Sequence, residues 1–217
     1  MNYLWERFDI PKIRARTRVW LDGEYRADLS DESGAGPLHI MVQGGAKLPE
    51  KITARAGETV YLTAVLSGFS GKVQIDAEAG AVFRAGIFIE NENAADISIT
   101  ANHLGSSSEI SVDARIEAGA GSETDARASA NIGPGLLGVK NSINFRVLAE
   151  PSAKLLRIQP NQFISSEKAA ASHGAAIDKG GAQAILFLKE QGLDAGEANA
   201  ALREAFRAGA FSHLPTT

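Results

Sequence analysis

Between residues 71 and 159 apolar and polar positions alternate in short runs. Val73, Ile75 and Ala77 alternate with Gln74 and Asp76; Ile97, Ile99 and Ala101 follow. Ile110, Val112, Ala114 and Ile116 alternate with Ser111, Asp113 and Arg115. Ala126, Ala128, Ala130 and Ile132 come next, then Ile143, Phe145 and Val147. A period of two over such short runs, broken by segments such as NHLGSSS and NIGPG, predicts many short half-buried strands. A β-sandwich would call for more two-residue hairpin turns, yet Asp22-Gly23 is the one Asn-Gly or Asp-Gly pair present. Inward residues that are mostly Ile, Val and Ala, with 6% aromatics, favour stacked coils. The predicted architecture is therefore mostly β, an irregular β-helix that must end in a cap or a partner.

The period changes near the C-terminus. Residues 181–191, GAQAILFLKEQ, fit a helix closed by Gly192. Asp194 and Glu197 are spaced as a capping box for a second helix. Its apolar stripe is Ala198, Ala201, Leu202, Ala205 and Phe206, with Gly209 as the stop. The stripe packs on its neighbours or lies in a partner's groove. Between the two regimes stands EKAAASHGAAI, residues 167–177, read as the junction where strand periodicity ends. The division expected is an N-terminal strand and loop segment over 1–38, a β-helix core over 39–160, and a junction with helical hairpin over 161–217. Upstream, Lys12, Arg14, Arg16 and Arg18 alternate with Ile13, Ala15, Thr17 and Val19, a strand with a basic face that is either solvated or a docking surface.

Composition narrows the chemistry. The 217 residues are 44% hydrophobic and 22% charged, with net charge −4, so a general nucleic-acid binder is not expected. No segment reads as a signal peptide or a membrane span, and the expected location is cytoplasmic. There is no cysteine, which excludes disulfides, thiolate metal ligands and a cysteine nucleophile from this chain. His39, His103, His173 and His213 form no HxxxH pair, and no Walker loop, GxSxG elbow or GxGxxG is present. The stretch GAGSE over 119–123 and IGPGLLG over 132–138 read as turns. Glu90, Asn91, Glu92, Asn93 and Asp96 are a solvated turn or an oxygen set for a hard cation. Asp76 and Glu78 share a strand face. No self-contained enzyme is expected.

The segment RIQPNQFISSEKAAASHGAAI, then LFLKEQGL and GEANAALREAF, resembles the C-terminal part of the SufB/SufD family, the scaffold subunits of the SUF iron–sulfur cluster assembly machinery. GLLGVKNSINFRVLAEPSAK over 135–154 is similar to that family's strand pair, and the resemblance covers about residues 105–209. Ser172-His173-Gly174-Ala175 matches the SufD-type motif. The resemblance implies a right-handed parallel β-helix with a C-terminal helical hairpin and a role as a non-enzymatic scaffold. It implies docking of a SufC-type ABC ATPase on the hairpin, through Phe187, Leu188, Leu202 and Phe206. It implies pairing with a SufB-like cysteine-bearing subunit or a second copy. His173 then becomes a metal ligand shared with the partner subunit, facing transient iron or an Fe–S cluster, with no cofactor held by this chain alone. No membrane and no nucleic acid enter this scheme. The chain departs from the family in having Ala176 for the family threonine, about half the usual length and no cysteine. A self-assembling structural β-solenoid is the alternative, one that the hairpin is expected to block by closing the stack; a carbohydrate-active β-helix enzyme ranks below both.

Overall fold

A computed structural model describes residues 16–26, 36–45 and 47–214. Lys12 and Arg14 of the basic strand lie outside them. Thirteen strands build a parallel β-solenoid of about five turns. One sheet carries β1 (Arg16–Leu21), β2 (Glu24–Tyr25), β3 (Leu38–Gly44), β5 (Thr59–Ser67), β7 (Val82–Asn91), β9 (Glu109–Ala118), β11 (Lys140–Ala149) and β13 (Ala170–Lys179). The other carries β4 (Lys51–Ala54), β6 (Gly71–Ala77), β8 (Ala94–His103), β10 (Glu123–Ile132) and β12 (Leu155–Ile164). From β3 onward odd and even strands alternate between the sheets, so each of these coils supplies one strand to each. The antiparallel pair is β1 with β2, joined by Asp22-Gly23 with φ of 51° and 81°. That is the two-residue turn the dipeptide specifies, because both central residues need positive φ.

Neighbouring strands stack in register, so each row of alternating residues becomes a column along the axis. Ala85, Val112, Ile143 and His173 form one such column. The inward columns make a single core that runs from Leu38 to Ala153. Large and small residues complement each other across it. Phe145 is wholly buried in the core that also holds Ala126, Ala128 and Ala130 of β10. The three alanines in the middle of that inward row are the small counterparts of the Phe145 ring within one close-packed core.

Corners of the coils need polar residues, since the turning backbone has groups no ladder satisfies. At one corner buried Asn91 donates to Thr124 Oγ1 at 2.9 Å and to the Glu123 carbonyl at 3.1 Å. At another, His103 Nδ1 lies 2.8 Å from Ser108 Oγ and Nε2 lies 3.3 Å from Asn141 Oδ1.

EKAAASHGAAI is not a junction. Residues 170–177 belong to β13, which pairs in register with β11 over its whole length. The solenoid thus runs beyond residue 160 through β12 and β13. Its small residues do not break the strand because β11 supplies a complete ladder partner. The turn to helix comes later, at Gly180-Gly181. Helix α1 (Ala182–Glu190) ends where Gly192, with φ of 98°, lets its own amide bond the Lys189 carbonyl and the Leu193 amide bond that of Leu188. Helix α2 (Ala195–Gly209) starts on the expected capping box: Asp194 accepts from the Glu197 amide at 2.8 Å, and Glu197 accepts from the Asp194 amide at 2.9 Å.

Helix α2 does not continue the solenoid. It folds back over the outer face of the larger sheet, crossing β11, β9 and β7 in turn. Arg203 meets Glu150 and Glu117, at 2.6 and 2.9 Å, and Arg207 meets Glu90. No described helix is long and apolar enough to cross a membrane.

Candidate functional site

The last described coil is β12 and β13, and among the described residues no strand pairs with their outer edges. The inward rows of the solenoid carry on into this coil with nothing stacked above them. On β13, Ala171, His173, Ala175 and Ile177 continue Asn141, Ile143, Phe145 and Val147. On β12, Leu156, Ile158, Pro160, Gln162 and Ile164 continue Thr124, Ala126, Ala128, Ala130 and Ile132. One coil earlier these positions are buried; here Ile164 and Ile177 are 42% and 44% exposed, and on the outer row Phe163, beside half-buried Asn131, is 62% exposed. Gln162 buries its Nε2 without a hydrogen-bond partner. An unfinished core and two free strand edges together form a surface built to be covered.

The Ser-His-Gly-Ala motif has a local logic on this edge. Ser172 and Gly174 lie on the outer row, beside Ser142 and Asn144 of β11. Ser172 Oγ donates to Ser142 Oγ at 3.2 Å. A Cβ on Gly174 would run into Asn144 Oδ1, so the glycine makes room for the amide. The residue between them, His173, therefore points with Ile143 toward the open lumen, where it is exposed. Among the described residues no three His, Asp or Glu side chains gather as a metal site. An exposed imidazole fits iron or a cluster as one ligand of several. This chain has no cysteine and so no thiolate to set beside it.

The other histidines have structural settings. Burial holds His103 below the usual histidine range, against the opposing hydrogen bond to the Asn141 Oδ1 acceptor. Its Nδ1 lies against Ser108 Oγ, whose hydroxyl donates to the Gly105 carbonyl at 2.7 Å. Burial also lowers His39, which lies 4.8 Å from the Tyr61 ring, and His213 beside Asp113. Three side chains of the 90–96 segment are turned to protein partners. Glu90 turns to Arg207, Asn91 to Thr124, and Asp96 to Arg127. Asp76 is tied to Lys51, Asn102 and Gln74, while Glu78 accepts from the Ala56 amide. GAGSE is a turn, closed by the Ser122 amide on the Gly119 carbonyl. Arg16 of the basic strand pairs with Glu58 at 2.5 Å.

The four hairpin residues divide. Leu202 lies over Gly181, beside Leu148, and Phe206 sits 5.5 Å below the Arg115 guanidinium, so the solenoid occupies both. Phe187 is 59% exposed, as is Leu186, and Leu188 is partly buried. The stripe of α2 therefore packs on its own chain, and the free apolar face belongs to α1. Nor does the hairpin close the stack: its contacts are with the face of the sheet, and the terminal coil stays open. Sequence reading did not single out Phe163, Ile164 and Ile177. They signal only through the absence of a further strand after residue 179.

No protein-family model matches the chain, and no curated protein matches it.

Proposed function

We propose that this protein is a SufD-like scaffold subunit of an iron–sulfur cluster assembly complex. One observation carries the reading: the Ser-His-Gly-Ala motif lies on the edge strand β13, whose outer edge has no partner among the described strands, with its imidazole on the open inward row. A partner solenoid with the same kind of end covers the exposed Ile164, Ile177 and strand edges. His173 then becomes an interfacial ligand, and the partner, a cysteine-bearing SufB-like subunit or a second copy, contributes the rest of the site. A SufC-type ABC ATPase docks on the hairpin through Leu186, Phe187 and Leu188, the face the solenoid leaves free. ATP hydrolysis belongs to that partner, and the scaffold transmits its motion. Iron or the cluster is cargo here and not a resident cofactor.

Co-expression with such an ATPase and a cysteine-bearing solenoid tests this directly. A stable complex is expected on gel filtration. Ile177→Asp should break the pairing of solenoids, whereas His173→Ala should leave the complex intact and lower its iron content. A monomer that ignores both partners sinks the reading, and unchanged iron in His173→Ala removes the ligand role.

A second reading has its own support. Because the hairpin leaves the terminal coil uncovered, end-to-end stacking into a structural filament is sterically open at that end. Filaments of the isolated protein by electron microscopy would favour this reading over the first.

A further inference from the structure

Helix α2 and the tail after it hold to the solenoid by an unusual mixture of contacts. Burial within the hairpin is slight: α1 buries no side chain and α2 buries only Ala198. What holds it is charge and close approach. Arg203 spans Glu117 and Glu150, Arg207 takes Glu90, and Arg115 Nη1 donates to the Phe206 carbonyl at 2.9 Å. Gly86 lets the tail lie flat, because a Cβ there would fall 2.5 Å from the Ala210 carbonyl oxygen. Gly209 meets the Arg115 guanidinium in the same way.

Underneath lies a patch that the solenoid core does not use. Phe88 is wholly buried yet points outward, away from the core. Leu148, 7% exposed, is likewise outside the core cluster and lies near Gly181 under Leu202. The solenoid itself shares one continuous core and thirteen hydrogen-bonded strands. The hairpin and tail share neither, and short helices without tertiary packing are marginal on their own. Segments held by few buried apolar contacts open at lower free energy than the core.

We propose that α1, α2 and the tail to residue 214 form a detachable strap. It opens as a unit from an intact solenoid and uncovers Phe88, Leu148 and the carboxylates of Glu90, Glu117 and Glu150 as an acid-rimmed apolar surface. The inference goes beyond the scaffold reading and holds whichever partners the chain has.

Hydrogen exchange of the full chain, followed by mass spectrometry, tests it. Raising salt from about 0.01 M to about 1 M shortens electrostatic reach from about 30 Å to about 3 Å. Peptides covering 182–214 should then exchange at least about tenfold faster, while those of β5 to β11 keep their protection. Gly86→Leu should produce the same separation at low salt, since its side chain projects outward and pushes up the tail. Arg203→Ala with Arg207→Ala should reproduce it without touching the solenoid strands, which covers the case in which Gly86→Leu fails to fold. If strap and solenoid peptides exchange together under every one of these conditions, the strap is an integral part of one cooperative unit and the proposal is wrong. Salt-insensitive exchange of 182–214, unchanged in the double arginine variant, overturns it equally.

Discussion

The guanidinium carbon of Arg207 stands 4.7 Å from the centroid of the Phe88 ring, on the outside of the sheet. It covers an aromatic ring that would otherwise face water and pairs with Glu90 at the same time. Arg207→Ala should therefore cost more than an ordinary surface substitution, about 1–2 kcal/mol, because a cation–π contact, an ion pair and the cover of Phe88 go together. Arg207→Lys should fall between, as a compact ammonium cannot stack on the ring and bridge to Glu90 equally well. Calorimetric unfolding of the three proteins checks the order.

Glu117 and Arg203 set up a sharper test. Burial raises the Glu117 pKa first; Arg203 opposes it, Glu90 raises it further, Arg207 lowers it and Glu150 raises it. Removing Arg203 leaves a half-buried carboxylate among two others. Arg203→Ala should thus destabilise more than Arg203→Ala with Glu117→Gln, an unusual case of a second substitution restoring stability. A double-mutant cycle in urea reads the coupling; strict additivity would contradict it.

Two carboxylates should respond to pH with opposite sign. At Asp76 burial raises the pKa, but hydrogen bonds from Lys51, Asn102 and Gln74 outweigh it and the folded value is lowered. Its contribution is present above the unfolded carboxylate range, near about 4, and is lost as pH falls through the folded value. The stability gap between wild type and Asp76→Asn should be constant above about pH 5 and close in stronger acid. Glu117, with its folded pKa raised, stabilises below the unfolded range and loses that contribution as pH rises through the folded value. Glu117→Gln should accordingly flatten the upper side of the stability–pH curve. Unfolding midpoints across the acid range decide both.

Phe145 is wholly buried in the same core as the three alanines of β10. Phe145→Ala should cost about 3–5 kcal/mol, the range for a buried ring removed from a rigid core. A loss under 1 kcal/mol in chemical denaturation would mean the lumen collapses around the gap.

Loss of the Asp194 cap should be milder. Asp194→Ala removes one acceptor at the start of α2 and should cost about 1 kcal/mol of local helix stability. Exchange of the Glu197 amide, which loses its partner, is the direct readout.

Strands β6 and β8 to β11 were legible in the sequence because the middles of their inward rows are apolar while their outward rows are mostly polar. The helices were legible for a different reason, since capping box and terminal glycine are local chemistry. The last coil was obscured by its own position. Pro160, Gln162 and His173 stand on inward rows that no further coil buries, so the apolar half of the alternation fades where exposure is greatest. EKAAASHGAAI looked like a hinge because Ser172 and Gly174 are small, and they are small to fit Ser142 and Asn144 thirty residues upstream. The docking of α2 was invisible for the same physical reason. Arg207 and Glu90 are separated by 117 positions, and nothing local to either names the other.

The columns of β5, β7, β9, β11 and β13 keep register throughout, although the connecting loops differ in length: Thr59, Val82, Glu109, Lys140 and Ala170 share one row. Such a molecule can change its length in only one way without moving every side chain to the wrong face. It must gain or lose a whole coil at a time, so relatives of very different size can share identical ends. The terminal coil and its strap can be inherited as a cassette, while the barrel beneath them grows or shrinks in steps.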